Sequence, residues 1–516
     1  MVKRNRTDFF FREVSQPPKM SSAATACAQG AGQQLLFLAP NTEHLIDSKK
    51  GYSPFRFVDE PVINFSTYPY QLQKSSGEDT YGGELTVESR KVGDMLSHVY
   101  GTWHRCGIVG IRREAMEDGS YRYSLCQNRT NEETGEVEIW EPHYCNGSGF
   151  KTLKSVSHVI GTVGHVTYNP HSMFWDNLLM NPMGLEQKEE AGFFDDEDEI
   201  ERELKLCQHS RKSKLMRVKI PMPGCRSQRQ WFPLTCTTQN KSNFNIEFEE
   251  LDKLVKEPEL WEREREKNPS VSFRTCFRPD GKSLWNLTED PRASFNCENL
   301  WTKTIPENLK FSIDGYYAIF TKAERLLWQN EKYSMSYPYV IPQIMATAKA
   351  SAEKDKENVI VPLKVGNVIS SMVTTVHTSY NWDRKDYFNS SAGYDVDDGL
   401  LLNPIAQYKF EWGGATRFAR DGDYFWKTQT LQHAKRVPRT FPCAFVSFVN
   451  DASRTDICDG APANAAKAES PTIILTLRKE AFGPRGCETE TEARIFTTVW
   501  SWNRCDFVSG QITVYW

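Results

Sequence analysis

From about residue 82 onward, apolar and polar residues alternate in short runs separated by Gly, Asn, Asp and Pro, the period-two pattern of half-buried antiparallel strands. Tyr121, Tyr123 and Leu125 alternate with Arg122, Ser124 and Cys126, and Phe244, Ile246 and Phe248 alternate with Asn245 and Glu247. Side chains point to opposite faces along a strand, so each run offers one face to a core. Further strands are predicted over 83–89, 156–160, 163–168, 215–220, 311–317, 359–365, 471–477, 495–502 and 511–516, where β-branched and aromatic residues dominate. Helical spacing is rare. It occurs over 249–256, where Leu251, Leu254 and Val255 precede the stop at Pro258, and over 322–328. The expected class is all-β, with few short helices.

A chain of 516 residues exceeds the size at which one hydrophobic core keeps growing, so two domains are expected. Residues 1–50 combine a basic start, a small-residue stretch and the apolar clump Leu35, Leu36, Phe37 and Leu38, which reads as an arm rather than part of a sandwich. The charged, proline-punctuated stretch through Pro258, Pro269 and Pro279 separates two alternating blocks. The predicted division is an arm over 1–54, a first β domain over 55–265 and a second over 266–516. The blocks are similar in length, which hints at a duplicated sandwich without residue-level repeats. Two insertions interrupt the pattern: the acidic run Asp195, Asp196, Glu197, Asp198 and Glu199, read as a solvated loop, and a strand-poor Ala/Lys-rich segment over 346–358.

Charge narrows the function classes. With 63 Lys and Arg against 67 Asp and Glu, the net charge is -4, and neither half forms a basic footprint for nucleic acid. Mean hydropathy is -0.58 and no run approaches the ~20 apolar residues of a membrane-spanning helix. The start, Met1 to Arg6 followed by Phe9, Phe10 and Phe11, is too short in apolar residues for a secretory signal. Thirteen cysteines, scattered without a C-x-x-C pair, are expected as buried reduced thiols. The sequons at Asn64, Asn128, Asn146, Asn240, Asn286 and Asn389 would matter only in a secreted chain.

Candidate chemistry is thin. The phosphate-cradle, dinucleotide, zincin and nucleophile-elbow motifs are all missing from the sequence. His98, His104, Cys106, His143 and Cys145 are the richest set of potential zinc ligands, but the two His-x-Cys pairs are spaced too closely for a zinc knuckle. His158, His165 and His171 fall on and after predicted strands with no activated Ser or Cys nearby in sequence. Asp395, Asp397 and Asp398 offer paired carboxylates for glycoside chemistry, yet stand in a Gly-bracketed turn. No catalytic, cofactor-binding or metal residue is assigned, no cofactor is expected, and the chain is read as a non-enzyme. A β-sandwich carbohydrate-active enzyme or lectin is the alternative.

The run from Tyr81 to Tyr100, with Gly82-Gly83, Thr86, Ser89-Arg90 and Gly93-Asp94-Met95, resembles major capsid proteins of the nucleocytoplasmic large DNA viruses. The likeness continues in order through Trp175-Asp176 and Glu186 to Glu190, through Met216 to Pro221, Trp231 to Leu234 and Asn243 to Phe248. It resumes at Phe410 to Phe418, Asp421 to Phe425, Gln432-His433, Phe445 to Arg454 and Thr498 to Trp516, covering about 55–516. The family's N-terminal motif is matched only partially by Asp8 to Val14 and Pro54 to Val58, and its Gly-Thr-Cys-Asn is replaced around Asp451 to Thr455.

The resemblance implies two tandem jelly-roll β-sandwiches in one chain, with an N-terminal arm. It implies a structural subunit that forms pseudo-hexagonal homotrimeric capsomers of a large icosahedral double-stranded DNA virus shell. A trimeric scaffold or minor capsid protein is the variant within that class. The implied partners are the chain itself, neighbouring capsomers, penton and minor capsid proteins and an internal membrane beneath the shell, without sequence-specific nucleic-acid contact. The implied location is the virion, after assembly in the host cytoplasm or a viral factory.

Overall fold

The computed structural model describes residues 65–515, apart from single positions, the pairs 90–91 and 366–367, and the stretches 223–230, 238–241, 279–296, 303–307, 343–345, 350–355, 394–400, 455–461, 466–470 and 483–491. The predicted arm lies outside the described residues. Eight strands build a first sandwich: β1 (Phe65–Gln73), β2 (Glu84–Glu88), β3 (Met95–Arg105), β4 (Leu153–Ile160), β5 (Val163–Tyr168), β6 (Lys214–Ile220), β7 (Ser242–Phe248) and β8 (Ser312–Phe320). One sheet runs β1-β8-β3-β6, the other β5-β4-β7-β2, and the pairings are antiparallel.

Eight more strands build the second: β9 (Tyr333–Pro342), β10 (Lys356–Pro362), β11 (Val368–Thr378), β12 (Ile405–Trp412), β13 (Ala415–Asp421), β14 (Ala444–Ser447), β15 (Thr472–Arg478) and β16 (Glu492–Val508). Their sheets run β9-β16-β11-β14 and β10-β15-β12-β13. Every strand holds the place of the strand eight positions before it, so the double-sheet jelly roll is built twice. The duplication suggested by block length is present as topology.

The alternation explains the cores. β7 turns Phe244, Ile246 and Phe248 inward against Met216, Val218 and Ile220 of β6, while their neighbours stay partly exposed. Each such fully buried side chain contributes about 2 kcal/mol. In the second sandwich Ile473, Leu475 and Leu477 of β15 meet Tyr408 and Phe410 of β12 and Ile495 and Val499 of β16.

Helices occupy the connections. α1 (Pro170–Trp175) follows β5 and continues as a π-helical turn, Asp176–Met180. α2 is Glu199–Ser210, α3 is Glu259–Lys267 and α4 is Lys322–Asn330. After β13 the π-helical turn Tyr424–Gln429 leads into α5 (Thr430–His433), so the same connection is helical, with the same π irregularity, in both sandwiches. A separate three-stranded sheet, Val271–Arg278 with Gly107–Ala115 and Tyr121–Leu125, is assembled from the β3–β4 and β7–β8 connections.

Several local expectations differ from the structure. The acidic run is not a solvated loop: Asp198 caps α2, accepting from the backbone N–H of Ile200 at 2.8 Å, and Asp195, Asp196 and Glu199 form ion pairs. Carboxylates suit a helix N-terminus because the first N–H groups have no helical partner. The 346–358 segment is not strand-poor, since Ala346–Lys349 pairs with β16 and β10 begins at Lys356. The charged stretch after residue 256 holds α3, whose strong helix formers bury Trp261, and then a strand. β8 pairs with β1 and β3, so the chain leaves the first sandwich after residue 320 rather than at 265.

Candidate functional site: the seam and the open faces

α1 is fixed by its own sequence. Asn169 accepts from the Ser172 N–H at 2.8 Å, the Ser172 hydroxyl lies 3.0 Å from the Asn169 N–H, and Pro170 takes the first helical position, where its missing N–H costs nothing. All six residues are buried. The helix thereby carries His171, Phe174 and the following Asp176 against the outer face of the β9-β16-β11-β14 sheet.

There Trp500 of β16 donates its indole N–H to Asp176 Oδ1 at 2.9 Å, with both side chains 1% exposed. The His171 ring stacks 4.1 Å from Phe496 and lies 5.1 Å from His377 and 6.1 Å from Trp382. Phe174 stacks on Phe388 at 4.5 Å. Burial, reinforced by His377, holds His171 well below the usual imidazole range. Burial brings His377 down to about 4, against the opposing pull of the Asn389 carbonyl and Asp386. Its Nδ1 lies 3.0 Å from the Asn389 carbonyl, which can only accept, so Nδ1 carries the proton and Nε2 accepts from the Thr375 hydroxyl at 3.1 Å. Both rings are neutral, and the seam is an aromatic contact.

Ion pairs rim the seam. Asp195 accepts from Lys188 at 2.7 Å and pairs with Arg436 of the second sandwich. Arg384 reaches Glu259 at 2.7 Å and Glu199 at 3.8 Å, and Arg202 reaches Asp386 at 3.9 Å. Lys385 donates to the carbonyl of Val255 at 2.7 Å and to that of Asp252. Asp195 and Glu199 of the acidic run thus join the sandwiches.

The structure scatters the set of potential zinc ligands. His104 is exposed on the outer face of β3, His98 sits in the β3 bulge, and among the described residues no three His, Cys, Asp or Glu side chains are grouped to hold a metal. Cys145 is buried, its thiol pushed by that burial to about 12. Cys106 lies 3.3 Å from the Tyr144 hydroxyl. His143 Nδ1 lies 3.6 Å from Cys207 Sγ, but burial lowers the imidazole to about 4 and raises the thiol to about 12. That pair is neutral, without the thiolate a nucleophile needs. His158 stacks on Phe244 at 4.8 Å with Nε2 2.7 Å from the Ser242 hydroxyl, a core histidine. The side chain of His165 and the loop carrying Asp395, Asp397 and Asp398 lie outside the described residues. Asn146 is buried and donates to the Phe194 carbonyl at 2.8 Å, so this sequon cannot carry a glycan in the folded chain.

Sequence reasoning missed Arg105, whose guanidinium is buried 4.1 Å over the Tyr144 ring and donates to Ser148 Oγ at 2.9 Å and to the His209 carbonyl at 3.2 Å. The alternation Val99, Gly101, Trp103, Arg105 along β3 was the available signal, since it puts a cation on the inward face. It also missed Trp500, His377 and Phe496 as partners of α1, because no local pattern connects positions so far apart.

No protein-family model and no curated protein matches the chain. Solved structures do. The chain is similar to PBCV-1 VP54, as fitted into a reconstruction of the virophage Sputnik, with a TM-score of 0.59 and 11% identity over 90% of this chain and 100% of that one. The PBCV-1 virus capsid gives 0.58 and 11% over the same shares, and the Faustovirus major capsid protein 0.51 and 9% over 89% and 93%. The fold is the double jelly roll of these capsid proteins, as the sequence resemblance implied.

Proposed function

We propose that this chain is a structural subunit of a viral shell: a major capsid protein that forms pseudo-hexagonal homotrimers. The observation that carries the reading is the pair of jelly rolls with one strand order, locked side by side by a buried seam. A subunit whose work is geometry needs two lobes held at one fixed angle, and the Asp176–Trp500 and His171–Phe496 contacts supply that rigidity. Likeness to capsid proteins across nearly the whole chain supports the same conclusion.

The working division is an arm over 1–54, a first jelly roll reaching about residue 320 and a second from 333 to 516. Neighbouring capsomers, penton and minor capsid proteins and an underlying membrane are the proposed partners. The virion is the proposed location, after assembly in the host cytoplasm or a viral factory. Light scattering of the purified full chain, followed by negative-stain imaging of the same peak, tests the reading. The expected result is about three times the 59.3 kDa chain mass with a hexagonal outline. A monomer at every concentration, or a monomer that binds oligosaccharide, refutes it.

A further inference from the structure

The small outlying sheet has two faces, and they end differently. Strand register puts Val271 and Phe273 opposite Glu114 and Arg112, on the face that Trp261 of α3 covers. The other face carries Ile111 and Arg113 of the central strand, with Leu125 and Tyr123 on one side and Arg274 and Ser272 on the other. Its inner half is closed, where the short helix Cys297–Thr302 brings Cys297 against Val109, Ile111 and Cys276. Toward the turn at Gly119 the face opens to solvent, and Tyr121 is 51% exposed there.

Arg113 stands at this open edge, clamped between rings. Its guanidinium carbon lies 4.5 Å from the centre of the Tyr121 ring and 4.6 Å from that of Trp301, and its Nε donates to Ser272 Oγ at 3.2 Å. Tyr123 completes the group, 6.5 Å from Tyr121 and 6.0 Å from Trp301. Trp301 is held in turn by Arg274, which donates to its carbonyl at 2.6 Å. Lys151 shows how the chain elsewhere satisfies a cation placed over two rings: it lies over Trp382 and Tyr387, and Glu249 neutralises it at 2.8 Å. Arg113 has no such carboxylate among the described residues, and its two terminal nitrogens have no protein acceptor there. The neighbouring Glu114 lies on the opposite face, toward Arg112. A guanidinium held flat by stacking, with its fork of N–H groups unclaimed, is preorganised for a planar anion.

The geometry points to this edge as a binding site for an acidic saccharide, with one carboxylate on the Arg113 fork and the C–H side of the sugar ring on Tyr121 and Tyr123. Tyrosine suits such a ligand because it offers an apolar body with a polar tip that stays in water. The charges around the edge restrict the ligand further. Against Arg113 and Arg274 stand Glu117 and Asp118 in the adjoining turn and Glu298 on the helix that carries Trp301, so a single carboxylate is accepted and a continuous polyanion is repelled. The site belongs to neither sandwich and does not depend on how copies of the chain assemble.

Saturation-transfer NMR on the purified full-length chain tests this. The probes are methyl β-glucuronide and the methyl glycoside of N-acetylneuraminic acid, with methyl β-glucoside as the uncharged control and a heparin oligosaccharide and a glutamate-rich peptide as the other anions. At least one acidic sugar is expected to receive saturation at its ring protons while the glucoside does not. Arg113→Lys keeps the charge and loses the fork, and is expected to weaken binding about ten- to hundredfold. If that variant melts below the parent, Tyr121→Ser, at an exposed position, replaces it with an expected loss of about tenfold. Equal binding of the glucoside, or a variant that binds like the parent, removes this edge as the recognition element and overturns the assignment. Binding of the heparin oligosaccharide or the peptide without the acidic sugars gives the edge to another class of ligand and overturns it too. So does the lack of transfer to either acidic sugar at about 10 mM. None of these readings involves the mass of the chain in solution, so this assignment and the shell-subunit reading fail separately.

Discussion

Removing the Trp500 indole should loosen the two sandwiches from one another more than its size alone predicts. In Trp500→Phe the Asp176 carboxylate stays buried but loses the donor held at 2.9 Å. A hydrogen bond to a charged group is worth about 1.5–3 kcal/mol, and the smaller ring leaves a void worth about 1 kcal/mol more. The expected loss is therefore about 3 kcal/mol. Asp176→Ala removes the same bond from the other side and strands a buried indole N–H, at a similar cost. Because both changes delete one shared interaction, the double variant should be less destabilised than the sum, with a coupling of about 2 kcal/mol. Urea unfolding followed by circular dichroism measures it. Two sandwiches that lose their seam also unfold in two steps, so the single variants should show a broadened or split transition where the parent shows one. Additivity within about 0.5 kcal/mol, with an unsplit transition, would refute the claim that this bond ties the halves.

Acid should weaken the seam. His377 is held at about 4 against an unperturbed 6.5, so the unfolded chain takes up a proton first; stability is full above about 6.5 and declines as pH falls toward about 4. The melting temperature should fall across that window, and His377→Asn should flatten the decline; an unchanged slope in the variant would remove His377 as the cause. Gly422→Ala should cost about 3 kcal/mol, because its new Cβ would stand 2.0 Å from the Ile405 carbonyl oxygen; a variant that melts with the parent contradicts the packing of the turn after β13. Cys145, Cys207 and Cys443 are buried, with thiols pushed upward by that burial. Alkylation at pH 8, mapped by mass spectrometry, should leave them unmodified in the native chain and label them in guanidinium; rapid native labelling would show that the cores open.

Strand positions were legible where alternation marks a strand with one face on a sandwich core; β1, β9, β11 and β12 were not predicted, and β11, buried on both faces from Ile369 to Thr378, has no period-two pattern to show. Phe244, Ile246 and Phe248 announce β7 because a half-buried strand must alternate. The same pattern misleads at Tyr121, which is 51% exposed: its strand belongs to the small outlying sheet, where the available core ends at Leu125 and Tyr123. The helix Glu259–Lys267 was hidden by its charge, although Glu, Arg and Lys are good helix formers and Trp261 supplies its single buried anchor. The acidic run misled for the opposite reason, since Asp198 serves a helix cap and Asp195, Asp196 and Glu199 serve ion pairs rather than solvent. The seam was beyond local reading. Asp176 and Trp500 are 324 positions apart, and nothing near either of them specifies the other.

The small outlying sheet carries a consequence for how such a chain varies. Its central strand, Gly107–Ala115, comes from one connection and its neighbour, Val271–Arg278, from another more than 150 positions later, held by eight register pairs. Neither connection is free to lengthen, shorten or change its alternation alone, because a slip in one turns the side chains of the other to the wrong face. Related chains should therefore gain or lose the two segments together, as one transplantable module. The turn at Gly119, with open space around it, is where a foreign peptide can be displayed without disturbing either partner.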